Sequence, residues 1–307
     1  MDKKSLKIVD KNLAKKNSKL PSWVKRKLKK SKLTGKSGKV IQLNSGKKYH
    51  IGNPLNDLSG SEWTHFLRSV FSSRYPTSGK ESYGHKIRKI HPSPKPPQLM
   101  RELIEFFTKE NEFILDYFMG VGGTLLGASL SGRKAIGIDI QNKFISAYKK
   151  CSKSLNLELQ HTLQGDCFKY LNSQDELNKI LNNKKISLIA IDPPYGDMMS
   201  RKKTGEAINR KGSEEATPFS NKKNDLGNMD RISFLENLKK SVQLSSNLLK
   251  HKGHVIIFAK DFQPDGKNAN LLHAEIIKKI NEIENIDYIG MKIWADESIN
   301  LYPYGYP

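Results

Sequence analysis

Phe113-Ile114-Leu115-Asp116-Tyr117-Phe118-Met119-Gly120-Val121-Gly122-Gly123-Thr124 is the stretch that decides the fold. Phe113 to Asp116 reads as a short buried strand ending on an acid. Gly120, Gly122 and Gly123 follow, where the backbone must turn tightly and come close to a ligand. Gly123 to Leu130 opens a helix. A strand, a glycine turn and a helix make the first half of a βαβ unit. The spacing is not Gly-x-Gly-x-x-Gly, so the loop departs from the dinucleotide fingerprint. Asp116 at its head would repel a pyrophosphate and welcome a cation.

Downstream the rhythm repeats. Lys134–Asp139 is the next strand, and its terminal acid stands 23 residues after Asp116. That is where a carboxylate reaches the ribose hydroxyls of a bound nucleoside. A helix spans about Asn142 to Leu155. His161–Gly165 is strand-like, followed by Asp166, which could meet an adenine amine. Asp175–Asn182 is helical, and Ile186–Ile191 is an apolar strand. Ile232–Leu249 (helix), His254–Lys260 (strand), Leu271–Ile283 (helix) and Ile286–Trp294 (strand) continue the alternation. The fold class is therefore α/β, with a Rossmann-like, doubly wound and mostly parallel sheet. Asp116, Gly120, Gly122, Thr124, Asp139 and Asp166 are expected to line its cofactor site. S-adenosylmethionine, with a sulfonium and an ammonium, suits such acids. The plainer alternative is that the acids only cap strand ends.

Asp192-Pro193-Pro194-Tyr195 follows the strand Ile186–Ile191. Ligands of open α/β sheets bind outside the carboxyl ends of strands, at the switch point. A base amine is a poor nucleophile because its lone pair is delocalised into the ring. The Asp192 carboxylate and the Pro193 carbonyl can accept its N–H groups, turning the lone pair toward an electrophile. The ring constraint on Pro193 and Pro194 fixes the carbonyl's direction. Tyr195 can stack on the base. A paired base could not enter, so it must be flipped out or single-stranded. A rigid turn without chemistry is the competing reading of these four residues.

The 307 residues carry a formal net charge of +22. Residues 1–50 hold 17 Lys and Arg against two acids, Asp2 and Asp10. Such an excess attracts polyanions. Residues 1–45 are expected to be a basic, mobile arm, either with a short basic helix around Pro21–Lys30 forming on a polyanion or as a solvated tail with no specific role. Residues 46–90 are expected to form a helical segment packed on the core, because Trp63, Phe66, Leu67, Val70 and Phe71 recur at helical spacing over 61–75. Residues 196–230 interrupt the alternation as a polar insertion loop. No run of 18 apolar residues exists, so no membrane span is expected. Cys151 and Cys167 make no disulfide framework, and no metal site is expected. A reducing cytoplasm, with association to the nucleoid, fits this composition.

His91-Pro92-Ser93-Pro94-Lys95-Pro96, Asp116–Gly120, Gly137-Ile138-Asp139, Gly165-Asp166 and Asp192–Tyr195 occur in one order. In that combination the chain resembles the S-adenosylmethionine-dependent amino-methyltransferases of DNA, which act on adenine N6 or cytosine N4. The resemblance runs from about His91 to the C-terminus, marking 91–307 as the methyltransferase domain. It places Lys95 near the methionine end of the cofactor and adds Phe118 and Cys167 to the cofactor-binding set. Asp225–Asn228 and Tyr302–Pro307 also look like a subset of this family. The cofactor motif precedes the catalytic one, and Asp at position 192 tilts the target toward adenine N6. The resemblance implies DNA as partner, with RNA open, and a companion endonuclease in a restriction-modification pair. It leaves the oligomeric state open. A non-catalytic nucleic-acid-binding protein on the same scaffold is a competing reading, as is a small-molecule or protein methyltransferase. Members of the family usually run past Tyr302–Pro307 into a last strand. The sheet edge is therefore expected either to lack that strand or to be covered by another segment.

Overall fold

Apolar runs such as Ile186–Ile191 can be satisfied only by burial on both faces, and parallel sheets provide this. The computed structural model of the chain describes residues 20–28, 31–196, 220, 222–261 and 270–297. In chain order its elements are α1 (Ser22–Lys25), β1 (Lys32–Thr34), β2 (Val40–Gln42), β3 (Lys48–His50), α2 (Gly60–Phe66), β4 (Val70–Ser73), α3 (His85–Arg88), α4 (Pro97–Phe107) and β5 (Phe113–Asp116). Then come α5 (Gly123–Leu130), β6 (Lys134–Asp139), α6 (Asn142–Ser154), β7 (His161–Gln164), α7 (Cys167–Ser173), α8 (Asp175–Leu181) and β8 (Ile186–Ile191). After a 3-10 turn at Leu226–Asn228 follow α9 (Arg231–Ser246), β9 (Leu249–Ile257), α10 (Leu272–Ile280) and β10 (Ile293–Asp296).

The central sheet has the order β7-β6-β5-β8-β9, all parallel. The chain winds outward from β5 to β7, then crosses back to β8 on the other side of β5. The switch point therefore lies between β5 and β8. Ile114, Leu115, Leu188, Ile189, Ala190 and Ile191 are fully buried. Each large one contributes about 1.5–3 kcal/mol of hydrophobic stabilisation. One core, with Leu115, Ile189 and Ile191, packs under α7 to α10. The other, with Ile114, Leu188 and Ala190, packs under α4 to α6.

Four expectations need correction. Residues 20–28 and 31–45 carry regular structure where a mobile arm was expected. β1, β2 and β3 form an antiparallel sheet, closed by Leu20, Val24, Ile41, Leu43 and Tyr49 around their own small core. Those apolar residues are too sparse in any one window to show a core; pairing pools them. Residues 1–19 and 29–30 lie outside the described residues. The helix expected over 61–75 stops at Phe66, and Val70–Ser73 is a strand pairing in parallel with β10. The apolar spacing there suits both elements, and the partner is more than 200 residues away. The last strand is Ile293–Asp296 rather than Ile286–Trp294, and β9 begins five residues earlier than expected, at Leu249. β10 pairs with β4 and not with β9, whose outer edge has no strand partner among the described residues. Tyr302–Pro307 and residues 197–219 lie outside those residues. No helix among them is long and apolar enough to cross a membrane.

Candidate active site

Because β5, β6, β7 and β8 are parallel, the residues that end them share one edge of the sheet. Asp116 ends β5, Asp139 ends β6, Asp166 follows β7 and Asp192 follows β8. A cleft of about 310 Å3 runs along this edge across the switch point. It is lined by Lys95, Asp116, Phe118, Gly120, Thr124, Asp139, Asp166 and Cys167, and by Asp192, Pro193, Pro194 and Tyr195. Of the expected residues only Gly122 stays off the lining. It turns the backbone beneath the loop at φ +73°, with the Tyr148 ring where a Cβ would stand.

The acids are held in distinct ways. Asp116 is buried and accepts hydrogen bonds from Thr124 Oγ1 at 2.5 Å and the Phe118 N–H at 3.1 Å. Asp139 accepts from the Gly120 N–H at 2.8 Å and the Gln141 N–H at 2.7 Å, which staples the glycine loop to β6. Burial pushes Asp116 up to about 7, and the charges of Asp192 and Asp139 add to the rise. Burial likewise pushes Asp139 up to about 7, with a contribution from Asp225. Asp166 caps α7 through the Phe168 N–H at 2.9 Å and accepts from Asn224 Nδ2 at 2.6 Å.

At the other end of the cleft both Asp192 oxygens are engaged. Oδ1 accepts from the Tyr195 hydroxyl at 2.7 Å. Oδ2 pairs with Lys95 Nζ at 2.8 Å, both side chains being about one-fifth exposed, at 21% and 23%. Lys95 Nζ also lies 5.0 Å from the centre of the Phe258 ring. Lys95, expected at the methionine end of a cofactor, thus has its ammonium on Asp192. Burial pushes the Tyr195 phenol well above its usual value. Burial also drops His91 to about 4, so the imidazole is neutral at physiological pH. It packs edge-to-face on Phe144 at 4.8 Å.

Asn224, Asp225, Leu226, Phe258 and Lys260 also line the cleft and were absent from the expected set. Asp225 accepts from Ser220 Oγ at 2.5 Å and the Gly227 N–H at 2.9 Å. Gly227 packs against Pro194, so the far end of the 196–230 stretch closes on the Asp192–Tyr195 turn. Phe258 and Lys260 follow β9. The rule that placed Asp192, carboxyl ends of strands at the switch point, could have found them. Asn224 had no local signal, because its bond to Asp166 spans 58 residues.

The cleft is rich in acceptors although the whole chain is strongly cationic. It suits a ligand bearing cations and N–H or O–H donors at one end, and an amine at the other.

Comparison with known proteins bears on the chemistry. The sequence model of the DNA methylase family matches residues 2–150. The tRNA (guanine(10)-N2)-dimethyltransferase of Methanocaldococcus jannaschii is 31% identical over 172 residues, covering 55% of this chain and 48% of that protein. The type II methyltransferase M1.MboII of Moraxella bovis is 32% identical over 104 residues, 34% of this chain and 36% of its own. The type II methyltransferase M2.LlaDCHI of Lactococcus lactis subsp. cremoris is 43% identical over 60 residues, 20% of this chain and 22% of its own. The chain spans less than half the length of each.

Proposed function

We propose that this chain, an amino-methyltransferase of the DNA methylase family with S-adenosylmethionine as cofactor, methylates an exocyclic base amine in DNA, adenine N6. The observation that carries this reading is the row Asp116, Asp139, Asp166 and Asp192 along one cleft, across the switch point. The donor set fits the cofactor, since buried acids suit its cationic amino-acid end, its hydroxyls and its adenine amine. No phosphate-binding fingerprint competes for the glycine loop. The bound cofactor supplies a methyl group on a sulfonium.

The chain's own residues do the rest. Asp116 and Thr124 hold the cationic end, with Gly120 letting the loop approach it. Asp139 takes the ribose hydroxyls, and Asp166 takes the adenine amine beside Phe118 and Cys167. Asp192 and the Pro193 carbonyl accept the N–H groups of the target amine. Lys95 and Tyr195 fix the Asp192 carboxylate from both sides, so the amine meets it on a remaining lone pair. Tyr195 also offers its ring face to the flipped base. His91 stays neutral and orients the loop by contact. In this reading the methyltransferase domain starts at about His91.

A second reading, a base amine in tRNA, is favoured by one observation. The tRNA methyltransferase aligns over 172 residues, more than either type II methyltransferase above. The test is transfer of labelled methyl to duplex DNA and to tRNA by the wild-type chain and Asp192→Asn. Loss of transfer to DNA in Asp192→Asn, with cofactor affinity retained, is the expected result. Label in tRNA alone would move the substrate to RNA, and unchanged transfer by the variant would remove Asp192 from the chemistry.

A further inference from the structure

We propose that the outer face of the β1–β3 sheet is a second nucleic-acid contact, a surface for backbone phosphates at the end of the molecule opposite the cleft. This inference rests on the reading of the chain as a nucleic-acid methyltransferase.

The sheet has two unlike faces, fixed by its register. Leu33, Ile41 and Tyr49 stand in one row across the three strands, and all three belong to the small core. The flanking rows must point the other way, because side chains alternate along a strand. Those rows are Lys32, Gln42 and Lys48, and Thr34, Val40 and His50. Lys32, Lys48 and His50 are exposed, as are Lys36 and Lys39 in the β1–β2 turn. Two strand spacings set Lys32 and Lys48 about 10 Å apart with Gln42 between them. This is a pair of cations flanking a hydrogen-bonding amide. No Asp or Glu occurs between Asp10 and Asp57, while 14 Lys and Arg do. No acid of the segment itself therefore neutralises the face.

The acids bonded to this unit engage Ser22, Trp23 and Lys47, which lie outside those two rows. Glu110 accepts from the Ser22 N–H at 3.1 Å and from Ser22 Oγ at 2.6 Å. The Trp23 indole donates to the Asp57 carbonyl at 2.8 Å. Asp57 pairs with buried Arg133 at 3.4 Å. Lys47 pairs with Glu62 at 2.7 Å and lies over Trp23. These bonds tie the unit to the rest of the fold and leave Lys32 and Lys48 exposed on the plate's other face.

Its location separates it from the catalytic cleft. Glu110 precedes β5 and Arg133 precedes β6, whereas Asp116 and Asp139 end those strands. The plate thus sits at the amino ends of the strands. The six residues of β6 alone put about 20 Å between the two ends. A polymer engaged at the cleft can reach the plate only by running along the flank of the molecule.

The test uses the full chain, with Lys32→Gln/Lys48→Gln and the charge-preserving Lys32→Arg/Lys48→Arg. Affinity is measured by fluorescence anisotropy against salt for a long DNA duplex, a short one and a tRNA transcript. The short duplex, about 10 base pairs, reaches about 17 Å either side of a flipped base at 3.4 Å per step. For the long duplex, losing two phosphate contacts should reduce the salt slope by about 1.8. If affinities converge at 1 M salt, that is about 60-fold weaker binding at 0.1 M. The short duplex should bind as before, the Arg variant should bind as wild type, and melting temperatures should agree. The same loss on tRNA would identify folded RNA as an alternative source of the phosphates. Unchanged affinity for both long polymers would overturn the proposal, as would an equal loss on the short duplex. A chain that shows the long-duplex effect yet transfers no methyl to DNA would refute the functional reading and leave this surface standing.

Discussion

Cofactor affinity should fall steeply between pH 8 and pH 6. Asp116 and Asp139 are each pushed up to about 7 in the cofactor-free cleft, chiefly by burial. A cationic, hydroxyl-bearing ligand needs them ionised. For a group titrating at about 7, lowering the pH from 8 to 6 cuts the ionised fraction by about tenfold. Affinity for S-adenosylmethionine should therefore drop about 10-fold if one acid must ionise, and about 100-fold if both must. His91, held down to about 4, contributes nothing in this window. The assay is titration calorimetry across that range in two buffers of different ionisation heat, which counts protons. At pH 6 binding should release between about one and two protons, and Asp139→Asn should remove about one of them. Affinity flat from pH 8 to 6, with no proton released, would refute the assignment of these acids to the cofactor.

Three further outcomes are expected. The unfolded-state value of these carboxyls is 3.8, below about 7, so the folded, cofactor-free chain binds their protons more tightly. Their contribution to stability is thus full below about 4 and lost as pH rises to about 7; denaturant melts of wild type and Asp116→Asn should differ in pH slope accordingly. Gly122→Ala forces a left-handed backbone onto alanine and drives its Cβ to 2.3 Å from the Tyr148 ring. The Tyr148 hydroxyl is tied to the Gln160 N–H, so the ring cannot swing aside; a loss of about 2–5 kcal/mol is expected in thermal melts. Arg133→Met removes the cation from buried Asp57, which keeps the Glu110 N–H at 2.6 Å, and should cost about 3 kcal/mol, the lower end for a broken buried pair. Limited proteolysis should then cut within residues 20–56 first.

Much of the fold was legible because its core strands carry local signals. Phe113–Asp116, Lys134–Asp139 and Ile186–Ile191 are short apolar runs bounded by punctuation, and each forms the strand expected. The acids after them follow from the rule for parallel sheets. Long-range pairing was not legible. Val70–Ser73 is a strand only because Ile293–Asp296 lies beside it. The β1–β3 sheet was masked by its charge, since Ile41 and Tyr49 become a core only when the strands pair. Lys95 was legible as a motif residue but not as the partner of Asp192, because that ion pair joins the segment before α4 to the end of β8.

Nucleoside analysis by mass spectrometry decides whether adenine N6 of DNA is the target. Duplex DNA and tRNA are incubated separately with the chain and isotopically labelled S-adenosylmethionine, then digested to nucleosides. Labelled N6-methyldeoxyadenosine from the DNA is the expected result. Label confined to guanine of tRNA, or absent from both polymers, would contradict it.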